Sequence, residues 1–427
     1  MTNGHSFGFQ REREHLPKLP TNTPFKLPFV HPYQRLFNRA CRTLGDHSFR
    51  VRYWDGTTRR FGHGQPRVTI VLKVPSVVPR LLIDPELAFG EAFQRGELEI
   101  EGQLADLFPI IFDNSSPTPK IIEAAWQSAA LFSRLRPLSM AQNRRDIAHH
   151  YDLGNDFYKL WLDPTMTYSC AYFKAPDDSL ETAQRNKIAH IGRKLQLQQG
   201  QTLLDVGCGW GGLLSETVRK YEVEGLGITL SQEQKKWFDE HLEPKLQGHA
   251  RVELQHYHDL AKSGQKFDRL VSVGMAEHVG RHNLPQYISD LKTLLKPQGI
   301  GVLHLITGMA EEPTSAWLVK YIFPGGYIPS FAEIIVEMAK HDLVVYDVEN
   351  LGQHYASTLD KWSENYERHV DWVREKYGEE FVRMWRLYLQ FSAASFRHED
   401  IYLHQIIFSN GKARDYPLTR EWLYQDG

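Results

Sequence analysis

The 427-residue chain predicts an α/β fold: a mostly parallel central sheet with helices on both faces, preceded by a smaller N-terminal α/β unit. Three observations carry that prediction. From about Gly200 onward, apolar strand-like runs alternate with amphipathic helical segments, the pattern of a parallel sheet covered on both sides. The first of these runs ends in a glycine-rich turn, LLDVGCGWGG. A tract of turn formers, DNSSPTPK from Asp113 to Lys120, separates this region from what precedes it. The expected organisation is an N-terminal unit over 1–112, a linker and interdomain helix over 113–150, and a main unit over 151–427.

Each element follows from local pattern. The N-terminal unit opens on a basic, proline-containing arm, FKLPFVHPYQRLFNRACR. The alternation in RVTIVLKVP predicts a strand. LLIDPELAFGEAFQRGELEIEG reads as a helix, a turn at Gly96 and a short strand. Ile121 to His150 has a helical pattern interrupted at Pro137. Trp126, Leu131 and Phe132 accompany Arg134, Arg136, Arg144 and Arg145 there. Such a face suits an anionic membrane surface, and equally a solvated interdomain helix. In the main unit TLLDVG, VEGLGITL, RVELQHY, FDRLVSVG and IGVLHLI are the strands. LLSETVRKY, SQEQKKWFDEHL with Ser231 as N-cap, and LPQYISDLKTLLK are intervening helices.

Composition narrows the function classes. A formal net charge of −2 gives no global basic field for nucleic acid. Cys41, Cys170 and Cys208 are too few and too far apart for a disulfide framework or a zinc site, which fits a reducing, cytoplasmic compartment. No apolar run approaches the roughly 20 residues of a membrane span, and the N-terminus lacks the apolar core of a signal peptide. Aromatics concentrate in the later half, as in YLQFSAASFRHEDIYLHQIIF, either as core or as the wall of a cavity for a long chain.

The glycine-rich turn points to a cofactor. Asp205, Gly207, Gly209, Gly211 and Gly212 sit where a strand opens a helix, and glycines admit close approach of a ligand at the crevice beyond parallel strand ends. A dinucleotide site would use G-x-G-x-x-G. The spacing here, D-x-G-x-G-x-G, favours S-adenosylmethionine, with Asp205 in the site. The second strand ends in GITLSQEQ, without the acidic residue that commonly grips the ribose. Thr229 and Gln234 would have to replace it. His256-x-His258 has no third ligand at metal-binding spacing, so no metal is expected, and Cys208 fits a tight backbone.

Six blocks in order, HYDLGNDFYKLWLDPTMTYSCAYF, LLDVGCGWGGL, GITLSQEQ, VSVGMAEHVG, VKYIFPGGYIPS and FRHEDIYLHQIIFSNG, resemble the cyclopropane fatty acid synthase family over nearly the whole chain. The resemblance implies a Rossmann-like methyltransferase domain. It implies methyl transfer from S-adenosylmethionine to the cis double bond of an unsaturated acyl chain in a membrane phospholipid, forming a cyclopropane. The N-terminal unit, of a lipid-binding type, points to the bacterial phospholipid branch. A homodimer, peripheral on the inner face of the cytoplasmic membrane, is implied with it.

The resemblance also implies a bound bicarbonate as proton acceptor, held by Cys170, Glu277, His304, Ile306 (through its main chain) and Tyr355. His304 would relay the proton from a pKa near neutrality. Tyr168 and Ser169 would meet the methionine part of the cofactor, Gly207 and Gly209 would lie under it, Thr229 and Gln234 would meet the ribose, and Tyr257 and His258 would flank the adenine. Attack by an alkene leaves a carbocation, which aromatic faces stabilise. Tyr168, Tyr172, Phe173, Tyr321 and Phe323 are candidates, of which one or two are expected to make contact. Where the family commonly has an aromatic residue before the glutamate, this chain has Ala276. That substitution is expected to enlarge the pocket beside Glu277 and bears on whether the product is a ring or a methylene or methyl branch.

Overall fold

A computed structural model describes residues 31–113, 153–311 and 314–424. The expected interdomain helix, with Trp126 and its arginines, lies outside the described residues, as does the start of the basic arm. Strands β1 (Phe49–Arg52), β2 (Thr58–Phe61), β3 (Thr69–Leu72) and β4 (Leu98–Glu101) form a four-stranded sheet in the order β2-β1-β3-β4. The predicted strand and the predicted helix-turn-strand are β3, the helices Val77–Ile83 and Pro85–Gln94, and β4. Gly96, with φ of +69°, makes the turn.

The larger sheet comprises β5 (Thr202–Val206), β6 (Glu224–Thr229), β7 (Ala250–Leu254), β8 (Phe267–Val273), β9 (Leu295–Thr307), β10 (Leu343–Asn350) and β11 (Tyr402–Asn410), in the order β10-β11-β9-β8-β5-β6-β7. The five strands from β9 to β7 are mutually parallel. β11 runs antiparallel between β9 and β10. Strands β5 to β9 are the five the sequence predicts; β10 and β11 are not foreseen. β11 is buried along most of its length, with the pattern iBiBBBBBi, so no alternation marks it as a strand.

Side chains alternate across this sheet as strand geometry requires. Leu204, Val206, Leu303, Leu305, Ile406 and Phe408 pack in one cluster with Leu260, Tyr287, Ile288 and Met338. Leu203, Val271, Val302 and Ile407 pack in a second with Ile188, Ile191, Leu214 and Phe238. Each fully buried aliphatic side chain contributes roughly 1.5–3 kcal/mol.

Three further helices, Gly352–Arg368, Val370–Tyr377 and Glu379–Arg397, follow β10. Their buried aromatics share one cluster with the N-terminal unit, from Phe49 and Phe108 to Trp362, Trp385 and Phe396. The N-terminal unit also packs on the helix Ala316–Tyr321, which precedes β10: a Cβ on Gly90 would lie 2.3 Å from the Trp317 ring. Polar contacts surround it: Lys320 and the Tyr321 hydroxyl both donate to Glu91, at 2.6 and 2.9 Å.

Candidate active site

β5 is where strand order reverses, with β6 on one side and β8 on the other, and crevices form at such points beyond the strand ends. A cavity lies there, lined from the ends of four strands by Asp205–Gly209, Ile228–Leu230, Gln255–Tyr257 and Val273–Met275. Each turn residue has its own reason. The amides of Gly207 and Cys208 both donate to the Ile228 carbonyl, at 3.0 and 3.1 Å, folding the turn back on β6. A Cβ on Gly211 would lie 2.3 Å from Phe238, whereas one on Gly209 would meet nothing within 4 Å. Gly211 is therefore required by packing. Gly209 borders open space that a ligand can fill. Cys208 packs against Gly227, where a Cβ would lie 2.8 Å from its sulfur, as a residue fitting a tight backbone.

Asp205 is 2% exposed, and its Oδ2 has no hydrogen-bond partner among the described residues. Burial pushes its carboxyl up to about 7, opposed by the nearby Lys187 ammonium. Thr229 donates to Gln234 Oε1 at 2.6 Å, and both line the cavity. This neutral pair stands where the acidic residue is missing. Tyr168, Ser169 and Tyr257 also line it. His258 does not: its Nδ1 lies 2.9 Å from Asp290. His256 takes the wall position beside Tyr257, and its Nδ1 accepts from the His258 amide at 3.2 Å.

The sequence reading missed Lys187, a cavity-lining residue that is 1% exposed. Its Nζ donates to Ser169 Oγ at 2.8 Å, and its charge also acts on Cys170 and His304. A signal existed. In the helix Leu180–Lys194 the buried face carries Gln184, Lys187, His190 and Lys194 among its apolar residues, a polar stripe where amphipathic periodicity calls for hydrocarbon. His278 also lines the cavity.

Four of the five residues proposed to hold an anion are linked through β9, β11 and Leu351, and the fifth, His304, lies two residues before Ile306 on β9. Ile306 donates its amide to Glu277 Oε1 at 2.6 Å and pairs across the sheet with Leu403. Leu403 accepts from the Leu351 amide at 2.7 Å. Leu351 in turn accepts from the Tyr355 amide at 3.1 Å and from Cys170 Sγ at 3.8 Å. The Cys170 thiol is fully buried and its pKa is raised by desolvation, so it is held protonated. The Tyr355 ring stacks on Phe396 at 4.6 Å. Glu277 Oε2 and His304 Nε2 are buried without a hydrogen-bond partner among the described residues.

Burial pushes Glu277 up to about 7. His304 differs from expectation. Burial and the charges of Lys187 and Lys194 hold its pKa well below the usual imidazole value, so it stays neutral, and Glu277 is the group that titrates near neutrality. Among the aromatic candidates, Tyr172 is stacked between His190 and His354, at 4.4 and 4.9 Å, Phe173 is stacked on His354 at 6.4 Å, and Tyr321 is bonded to Glu91. Tyr168 faces the cavity, its hydroxyl 2.7 Å from that of Tyr388. Phe323 lies between His278 and Tyr388. Ala276 does not line the cavity. It is 1% exposed within the apolar cluster of Tyr257 and Tyr287, so the change at that position falls in core packing.

Among the described residues no group of three or more His, Cys, Asp or Glu side chains could hold a metal ion. None of the described helices is long and apolar enough to cross a membrane.

Residues 138–406 match the family described as mycolic acid cyclopropane synthetase, and residues 33–120 match a domain of unknown function. A probable fatty acid methyltransferase of Pseudomonas putida is 36% identical over 88% of this chain and 96% of its own length. Cyclopropane-fatty-acyl-phospholipid synthase of Escherichia coli is 37% identical over 82% of this chain and 90% of its own. The crystal structure of mycolic acid cyclopropane synthase CmaA1 complexed with SAH and CTAB superposes with a TM-score of 0.59 at 34% identity, covering 65% of this chain and 99% of that one. With its cofactor crevice at the β5 switch point, the chain belongs to the mycolic acid cyclopropane synthetase family and is an S-adenosylmethionine-dependent methyltransferase.

Proposed function

We propose that the chain converts the cis double bond of an unsaturated phospholipid acyl chain into a cyclopropane, with bicarbonate as proton acceptor. The observation that carries this reading is the pair of buried atoms without a hydrogen-bond partner among the described residues, Glu277 Oε2 and His304 Nε2, together with the Ile306 amide that, two residues along β9 from His304, donates to Glu277 Oε1. An acidic, near-neutral carboxyl and an imidazole N–H suit an anion that both accepts and donates hydrogen bonds. Cys170, Glu277, His304, Ile306 and Tyr355 would hold it. Bicarbonate fits this donor set better than a dianion would, because Glu277 already carries the site's negative charge when ionised.

Bound S-adenosylmethionine supplies an electrophilic methyl group. The residues of the chain do the rest. The open face of Gly209, Asp205 and the Thr229–Gln234 pair bind and orient the cofactor. The ring of Tyr168, on the cavity wall, would stabilise positive charge on the acyl chain without covalent capture. Exclusion of water around the reacting atoms would let proximity rather than nucleophile strength drive the reaction. Loss of one proton from the transferred methyl group closes the ring. Glu277, poised near neutrality, would share that proton with the anion. The acyl chain would be drawn from the membrane surface.

The test is to incubate the full chain with vesicles of dioleoyl phospholipid, S-adenosylmethionine and bicarbonate. Release of S-adenosylhomocysteine and a product bearing a cyclopropane by mass spectrometry are expected. A second reading, transfer giving a methylene or methyl branch, is favoured by the name of the Pseudomonas putida relative. An exocyclic methylene in the product would establish it and reject the ring-forming reading.

A further inference from the structure

A row of buried polar side chains runs across the sheet and ends at His304. Glu349 on β10 pairs with Gln405 on β11, and Gln405 pairs with His304 on β9. Cross-strand partners point to the same face, so the three form one line across the sheet. The helix Leu180–Lys194 lies over that line. Its Lys194 donates to Glu349 and to Gln405 Oε1 at 2.6 Å, and its His190 Nε2 lies 2.7 Å from Glu349 Oε2. His190, Lys194, Gln405 and His304 are each 1% exposed or less.

We infer that Lys194 and Gln405 are positioning residues that fix the tautomer of His304. The logic is one of donors and acceptors. A lysine ammonium only donates, so the Gln405 atom facing Lys194 must be the amide oxygen. The Gln405 nitrogen then faces His304 Nδ1, at 3.0 Å, and it too only donates. Nδ1 must accept, and the single proton of the neutral ring sits on Nε2. That is the nitrogen with no hydrogen-bond partner among the described residues. Burial lowers the pKa of Lys194, and the Glu349 carboxylate opposes that by favouring the ammonium. The row therefore presents an N–H donor, and not a basic lone pair, on the side of the His304 ring away from Gln405.

This inference assigns His304 the part of a hydrogen-bond donor to an anion. Its functional consequence rests on the reading of the site given above, but the tautomer is measurable without activity. The full chain labelled with 15N-histidine, at neutral pH and without ligand, is expected to show His304 protonated on Nε2 alone. In Gln405→Glu, a carboxylate faces the ring and Nδ1 is expected to carry a proton, as the other tautomer or as the cation. S-adenosylhomocysteine release on dioleoyl phospholipid vesicles should then fall about 10–100-fold in kcat, with KM for S-adenosylmethionine unchanged, and the pH profile should gain a histidine-like ionisation. Gln405→Leu removes the constraint and should give a mixture of tautomers. If Gln405→Glu does not fold, the wild-type and Gln405→Leu spectra decide the matter. Wild-type His304 protonated on Nδ1, or a Gln405 variant that keeps the wild-type tautomer, overturns the inference. A correct tautomer with no methyl transfer by the wild type would instead reject the proposed function.

Discussion

At the scale of single residues, burial is the dominant force on the site's chemistry. Glu277 and Asp205 are both pushed up to about 7 from ordinary values of 4.5 and 3.8. The folded state therefore holds protons that the unfolded state releases between about pH 4 and 7. Their contribution to stability is complete below the ordinary values and is lost as pH rises through about 7. Glu349 acts in the opposite sense. Its pairing with His190 and Lys194 lowers it to about 2, so its contribution is present above 4.5 and is lost on strong acidification. Buried histidines such as His278 and His304, held neutral by desolvation, act in the opposite sense below about pH 6.5, so the carboxyl effect is read as a difference: the melting temperature of Glu277→Gln should rise relative to the wild type as pH goes from about 4.5 to 7. The same substitution should reduce kcat about 100-fold or more, the range for loss of a group handling a proton. Calorimetric affinity for S-adenosylmethionine should stay within about threefold, since Glu277 is not among the residues lining the cofactor crevice. Equal loss of affinity would remove Glu277 from the proton-handling part.

At the scale of elements, the turn after β5 separates ligand requirements from packing requirements. Gly209→Ala places a methyl group into open space at a φ of +55°. The backbone strain costs about 1–2 kcal/mol, while S-adenosylmethionine affinity should fall by more than about tenfold. Gly211→Ala drives a methyl group into Phe238 and should lose more stability than Gly209→Ala. Urea denaturation and cofactor titration of the two variants, side by side, separate these effects. The helix Leu180–Lys194 is the other informative element. Its Ser179 cap accepts from the Thr182 amide, and its buried polar stripe serves both the cofactor crevice, through Lys187, and the sheet, through Lys194.

At the scale of the whole molecule, the N-terminal unit shares a core with the helices that follow β10. Trp317, 2% exposed, joins the same core from the helix Ala316–Tyr321 and packs over Gly90. Trp317→Ala should destabilise the protein by about 3–5 kcal/mol, the usual range for removing a buried aromatic. With a common core, calorimetry of the full chain should show one unfolding transition. Two well-separated peaks would mean that the units fold independently despite the contact.

The five parallel strands, the glycine turn and its cofactor were legible in the sequence, because strand–helix alternation and φ-positive glycines are local properties. β10 and β11 were not legible: Ile406, Ile407 and Phe408 are buried on both faces, which erases the period-two signal. The protonation of the site was beyond the sequence as well. His304 was expected near neutrality and is held well below it, since Lys187 and Lys194 come from a helix more than a hundred residues earlier. Local pattern determined which elements form and which cofactor they bind. Only the tertiary structure, by removing water and bringing distant charges together, decided the ionisation of Glu277 and the hydrogen bond that His304 makes with Gln405.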